Sequence, residues 1–374
     1  MTYSIAGFDV ELNLPQDVAK RLLPTMEPFR APASGDPLCR IQISDSPSLP
    51  QPKGELLGDY PSDTGRVLAY RDPAGYLLIV SYPDGTEVAV VANPAFTSAL
   101  VALSFSAPLA GEILAAAIRL VFTQAITPYQ AFAIHASCTV AEGMAYLFCG
   151  VSGAGKSTHS AMWLRAIPGA WLLNDDCVIV RLDEDGTPRA YGSPWSGKTP
   201  CYRAACAPVA AMVRVDKAPA NSYEPLSDIA AFGAVLPGVS AMRAEGDYFA
   251  HVCDTLAATL NRIQVGIIHC QAVPEAAVAC HQGLSQKSKV KSQEWKLPSA
   301  DDTAAGSIGD HPGPTVPRAS GASIVINDDS IGDHPGTTVP RASGTSIMIN
   351  DDSIGDHPGT TVPRASGASI MINS

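Results

Sequence analysis

The segment Gly150-Val151-Ser152-Gly153-Ala154-Gly155-Lys156-Ser157 constrains this chain more than any other. It fits the spacing G-x-x-x-x-G-K-[ST], follows the apolar run Met144–Cys149 and precedes a helical pattern from Ser157 to Ala166. Glycines at that spacing let a backbone curl so that consecutive N–H groups point at phosphate oxygens, and a following helix adds its positive N-terminal dipole. The chain is therefore expected to build a strand, a phosphate-cradling loop and a helix, which places it among folds with a sheet covered by helices. Gly150, Ser152, Gly153, Ala154, Gly155, Lys156, Ser157 and Thr158 are the expected cradle. Lys156 is expected to reach the β- and γ-phosphates, and the Ser157 hydroxyl to ligate Mg²⁺. The expected ligand is ATP with Mg²⁺.

Asn174-Asp175-Asp176 follows the apolar Trp171-Leu172-Leu173. Between Lys156 and Asp175 there is room for one helix and one strand, so the acidic pair is expected on a strand beside the loop strand. The trio is expected to separate a strand at 170–173 from another at 177–181. One carboxylate suits a cation, the other a proton from an attacking hydroxyl. His135, in Ala133-Ile134-His135-Ala136-Ser137, precedes the strand that feeds the loop. On spacing alone it reads as a core histidine.

Together these elements resemble the kinase domain of HPr kinase/phosphorylase and, more distantly, ATP-dependent phosphoenolpyruvate carboxykinase. The resemblance is clear over residues 128 to 200. It implies a P-loop kinase core of α/β class, with His135 in the active site, Lys156 and Ser157 on phosphate and Mg²⁺, Asp175 as base and Asp176 on the metal; the two aspartates can exchange roles. The implied activity is ATP-dependent phosphorylation of a hydroxyl, chiefly serine of a protein or peptide. The alternatives are a small-molecule kinase or carboxykinase-like enzyme, and a non-catalytic nucleotide-binding regulatory module. The family's second, glycine-rich signature has no match here. In its place Gly192-Ser193-Pro194-Trp195-Ser196-Gly197-Lys198 is similar to the Gly-Thr-Pro-Trp-type motif of HPr-kinase-like proteins found beside peptide-modification genes. Either Lys198 meets a phosphate or the segment is a structural turn with a half-buried Trp195. The N-terminal region does not resemble that of HPr kinase, so HPr is not the expected acceptor. Arg203 and Arg214 read as surface or strand-edge charge.

Residues 1–127 read as a smaller β-rich α+β domain. Short β-type runs at 66–70, 76–80 and 87–91 with turn signals between them suggest an antiparallel meander, and Gly111 to Gln124 a helix. Residues 128–285 form the ATP-binding domain. Residues 286–374 read as a polar linker and three repeats of 23-residue period beginning at Ser307, Ser330 and Ser353. They are rich in Gly and Pro, carry Arg-Ala-Ser-Gly in each copy and are expected to be flexible. The net charge of −11 disfavours nucleic acid and anionic lipid as partners. The apolar stretch at 96–126 is broken by Pro108, Glu112 and Arg119, as in a buried helix rather than a membrane span. The nine cysteines contain no C-x-x-C pair. With no basic and apolar leader, they suggest a cytoplasmic protein. Related kinases are oligomers, so a homo-oligomer is the expected assembly.

Overall fold

A computed structural model of the protein describes residues 1–33, 35–46, 49–62, 65–197 and 199–294, with two short strands at 348–350 and 369–371. Contacts divide the chain into one compact unit, Met1–Lys287 with Gly344–Ser374, and a second, Ser288–Ser343. Both large sheets lie in the first unit. The architecture is mixed α/β, built on these two sheets.

The N-terminal sheet has nine strands in the order β3-β1-β2-β4-β9-β8-β7-β6-β5. They are β1 (Thr2–Ile5), β2 (Phe8–Asn13), β3 (Arg30–Ala31), β4 (Cys39–Asp45), β5 (Glu55–Ser62), β6 (Gly65–Asp72), β7 (Gly75–Ser81), β8 (Glu87–Ala92) and β9 (Ser98–Leu103). From β5 to β9 the chain is the expected antiparallel meander. β4 lies parallel to both β2 and β9. Helix α1 (Gln16–Leu22) follows β2, and helix α2 (Ala110–Ala125) follows the sheet. α2 is buried on almost every side, including Ile113, Leu114, Ile118, Val121 and Phe122. Each large apolar side chain so buried contributes about 1.5–3 kcal/mol. Arg119 is the one charged residue among the buried positions of that helix.

The second sheet comprises β10 (Ala131–Ala141), β11 (Met144–Cys149), β12 (Trp171–Leu182), β13 (Pro188–Tyr191), β14 (Cys206–Lys217), β15 (Ser222–Leu226) and β16 (Gln264–Cys270). Its order is β11-β10-β12-β13-β14-β16-β15, and β14 also pairs with β11. The first five strands therefore close on themselves. The helices are α3 (Lys156–Ala166), α4 (Asp228–Val235), α5 (Gly246–Leu260) and α6 (Pro274–Glu294). The strand β10 is buried along all of its residues, as a strand covered on both faces must be. Its even positions, Phe132 to Val140, join the core under α4 and α5. Ala131 and Ala133 join the core of α2 and the N-terminal sheet, which runs without a break across Cys177, Ile179 and Trp195. His135, Ser137 and Thr139 follow on that second face, so strand alternation collects the polar residues on one side.

Three expectations change. Residues 170–173 and 177–181 belong to one strand, β12, and the polar trio lies inside it. The trio reads as a turn only if its polar groups go unpartnered; here Asn174 supplies partners. Next, β10 lies between β11 and β12, so the acidic strand is one strand removed from the loop strand. Finally, α6 extends to Glu294, into the expected linker. Gln286 to Glu294 contains neither Gly nor Pro, and its Gln, Lys and Glu are competent helix formers. Two of the repeat runs supply β17 (Met348–Asn350) and β18 (Ser369–Met371), which pair antiparallel with each other. The Arg-Ala-Ser-Gly segments and the expected flexibility of the tail lie outside the described residues.

Candidate active site

The site hangs on the hairpin of β10 and β11. Glu142 and Gly143 both take positive φ in the connecting turn, matching the twist of the strands. At the far end of β11 the chain enters the glycine loop, where Gly150, Gly153 and Gly155 all have φ in the left-handed half of the map. Gly155 caps α3, whose first turn carries no acidic side chain. That helix end and the loop N–H groups form an environment suited to an anion. Lys156 is buried and its Nζ donates to the carbonyls of Gly150 at 3.0 Å and Val151 at 3.1 Å. Those bonds fold the ammonium over the loop. Ser157 is half-buried and Thr158 exposed. Ser137 and Ser160 share a buried hydrogen bond of 2.6 Å that ties α3 to β10.

The acidic pair follows a β-bulge. Cys138 pairs with Asn174 and Thr139 with Leu172, so Leu173 is the extra residue. Bulges of this kind re-aim the side chains next to them. Asn174 Oδ1 accepts from the backbone N–H of Asp176 at 3.0 Å and of Cys177 at 2.9 Å. Its Nδ2 donates to the Trp195 carbonyl at 2.9 Å and lies 3.3 Å from the Ser193 carbonyl. One amide thus shapes the acidic strand and fastens the 193–201 loop to it. Gly197 N–H donates to the Asp175 carbonyl at 2.7 Å. A Cβ at Gly197 would lie 2.7 Å from that same oxygen, so the approach requires glycine.

The two carboxylates have different surroundings. Asp176 Oδ1 lies 2.8 Å from His135 Nδ1, and Oδ2 accepts from Arg119 Nη1 at 3.0 Å. All three residues are buried. A carboxylate only accepts, so His135 Nδ1 carries a proton, and in the neutral tautomer the lone pair is then on Nε2. Asp175 Oδ2 accepts from Thr199 N–H at 3.3 Å, whereas its Oδ1 is buried with no hydrogen-bond partner among the described residues. An unpaired buried carboxylate oxygen is costly unless a cation or donor meets it.

A cleft of about 180 Å³ is lined by His135, Ser137, Gly155, Lys156, Ser157 and Thr158 together with Asp175 and Asp176. The predicted site residues His135, Gly153, Gly155, Lys156, Ser157, Thr158, Asp175 and Asp176 therefore meet at one place. Gly150, Ser152 and Ala154 belong to the same loop without lining the cleft. The donor set fits a magnesium–triphosphate group: a hydroxyl, an unpaired carboxylate oxygen, a lysine and loop N–H groups. Among the described residues no group of three or more His, Cys, Asp or Glu is placed to hold a metal by itself. Mg²⁺ bound with a triphosphate does not need one, since phosphates and waters fill most of its octahedron.

The comparisons with known proteins add little. No protein-family model and no curated protein matches this sequence. Among solved structures the chain is similar to the Hpr(Ser) kinase/phosphatase from Coxiella burnetii, with 13% identity and a TM-score of 0.26, over 44% of this chain and 93% of that one.

Sequence reasoning passed over Arg119 and Asn174. The signals were there: a lone cation in an otherwise apolar helix, and an amide beside an acidic pair. Trp195 is buried rather than half-buried, and its Nε1 donates to the Ala115 carbonyl at 2.8 Å. The 193–197 segment is thus a structural clamp between β12 and α2; Lys198 lies outside the described residues. Arg214 pairs with Asp216 at 2.7 Å, and Arg203 lies over the Trp171 ring. His159, inside α3, accepts from Trp163 Nε1 at 3.1 Å, and burial lowers its pKa to about 4. It is a neutral core histidine. Of the nine free cysteines, seven are buried, Cys206 is exposed and Cys253 is intermediate. Among the described residues no helix is long and apolar enough to cross a membrane.

Proposed function

We propose that this chain is a kinase that transfers the γ-phosphoryl group of Mg-ATP to a hydroxyl, namely a serine of a protein or peptide. One observation carries the reading. The glycine loop, an unpaired carboxylate oxygen and a histidine oriented by a second carboxylate line a single cleft. A binding module could use the loop and the carboxylate oxygen, but not the oriented histidine.

In this reading Asp175 is the metal ligand, and the base is His135 rather than either aspartate. Asp176 has both oxygens engaged, so it orients His135 and keeps the Nε2 lone pair available, as the carboxylate does in other His–carboxylate pairs. Asp175, with Oδ1 unpaired, together with Ser157 Oγ, would hold Mg²⁺. When bound, that ion neutralises charge on the phosphate oxygens. Lys156 leaves its loop carbonyls for phosphate oxygens, and the loop N–H groups hold the rest of the chain of phosphates. The acceptor oxygen forms its bond to phosphorus as the bond to the ADP oxygen breaks, and the hydroxyl proton passes to His135 Nε2.

The test is transfer of label from γ-labelled ATP, with Mg²⁺, to a serine-centred peptide library. Label should reach serine with the wild-type chain and be lost in Lys156→Ala and His135→Gln. Tight nucleotide binding with transfer to nothing would replace the kinase with the regulatory reading.

A further inference from the structure

A second, larger cleft of about 390 Å³ adjoins the first. Its walls come from both halves of the unit: Arg21 in the last turn of α1 and Pro24 after it, Phe105 and Leu109 before α2, Ala115 and Arg119 within α2, and Pro194, Trp195 and Ser196 of the clamp. Asp176 lines both clefts. Its carboxylate bonds Arg119, which lines the larger cleft, and His135, which lines the smaller.

We infer that this cleft is the acceptor site and that it takes a peptide segment whose serine is flanked by an apolar side chain. The inference rests on the kinase reading. Position is the first argument: Asp176 is common to both linings, so a segment seated in the larger cleft can extend its serine past that residue into the smaller one, which His135 and Lys156 line. The second is the lining. Leu22, Phe105, Ala115, Ala116, Pro194 and Trp195 are apolar beside polar groups that include Arg119, Asp176 and Ser196, a mixture that suits a peptide, with its polar backbone and an apolar side chain. Arg21 and Glu112 at the exposed mouth have opposite signs, which gives no preference for a highly charged acceptor such as a sugar phosphate. The third is the shape. Arg21, Pro24, Leu109 and Glu112 are exposed, whereas Arg119, Asp176 and Trp195 are buried, so a chain crossing the mouth can lower one side chain to the floor. Leu109 is a marked residue there: it is 45% exposed and sits at φ 62°. An apolar side chain held outward in a left-handed conformation is costly on both counts.

The experiment uses the full chain and a serine-centred positional peptide library with Mg-ATP. It reads both label transfer and crosslinking from a benzophenone amino acid placed at Leu109, with Ile229 as an exposed control position. The expected result is selection of apolar residues next to serine. Leu109→Asp and Ala115→Met should each raise KM for the selected peptides about tenfold with kcat nearly kept, and crosslinks should form at Leu109 and not at Ile229. Transfer to peptides with neither KM nor sequence preference altered would overturn the cleft and leave the kinase standing. Transfer to small alcohols alone would overturn the peptide acceptor. Crosslinks at Leu109 without any transfer would retain a peptide cleft and remove the kinase; no crosslink and no transfer would remove both.

Discussion

Arg119 donates to Asp176 across 57 residues of sequence, at 3.0 Å and with both side chains buried. The bond joins the helix that closes the N-terminal sheet to the strand that carries the acidic pair. Removing one partner of a buried ion pair leaves an uncompensated charge, at a cost of about 3–5 kcal/mol. Arg119→Met is therefore expected to lower unfolding free energy by roughly that amount in urea titration. Adding Asp176→Asn should return part of the loss. Additive losses in the double variant would show that the two side chains act independently.

Asp175→Asn should behave in the opposite way. Its Oδ1 has no hydrogen-bond partner among the described residues to lose, so the free protein is expected to be as stable as wild type or slightly more. What disappears is the benefit of Mg²⁺. Saturating Mg-ADP at a hundredfold over Kd stabilises a folded chain by about 2.7 kcal/mol. In thermal unfolding, wild type should show a Mg²⁺-dependent increment with ADP that Asp175→Asn lacks. An equal increment in both would remove Asp175 from the metal site.

The pH dependence of stability should carry the signature of His159. Burial depresses its folded pKa to about 4 from an ordinary value of 6.5. The unfolded chain takes up this proton first as pH falls. The stabilisation is complete above pH 6.5 and is lost progressively down to pH 4. The contribution is on the order of 3 kcal/mol. Replacing His159 with Gln should flatten the unfolding free energy between those limits, measured by denaturant titration at several pH values.

Asn174→Ala removes the anchor of the 193–201 loop and both side-chain acceptor bonds on the acidic strand. Each buried polar group left unsatisfied costs about 1–3 kcal/mol. Hydrogen exchange should accelerate at Ser193 to Cys201 well before it does in β10. Phosphoryl transfer should fall about a hundredfold, because a misplacement near 1 Å costs that much. Unchanged exchange in the loop would mean that Trp195 and the Gly197 and Thr199 bonds to Asp175 hold it without the amide.

Local chemistry made much of this legible in the sequence. The glycine loop names its own conformation, since three residues with positive φ in six leave few alternatives to glycine. The β6–β8 meander and the buried helix α2 followed from alternation and from turn residues. What resisted was long-range. A polar trio inside a buried strand resembles a turn until its partners are known, and those partners, Ser193 and Trp195, come about twenty residues later. Likewise Arg119 looked like a flaw in an apolar helix because its counter-ion lies on another element. The strand order, with β10 between β11 and β12, was equally hidden, because nothing within a strand states which edge its neighbour will occupy.

The unbroken core beneath α2 has a practical corollary for anyone cutting this chain. A fragment starting at residue 128 would retain the glycine loop, His135 and both aspartates, and would look on paper like a self-sufficient catalytic piece. It would also strip the cover from Ala131, Ala133, Cys177 and Ile179 and take away the guanidinium that balances Asp176. The first 127 residues thus complete the core on which the glycine-loop sheet rests, and shortening the gene at that point would remove the cover of β10 and β12 together with the partner of Asp176.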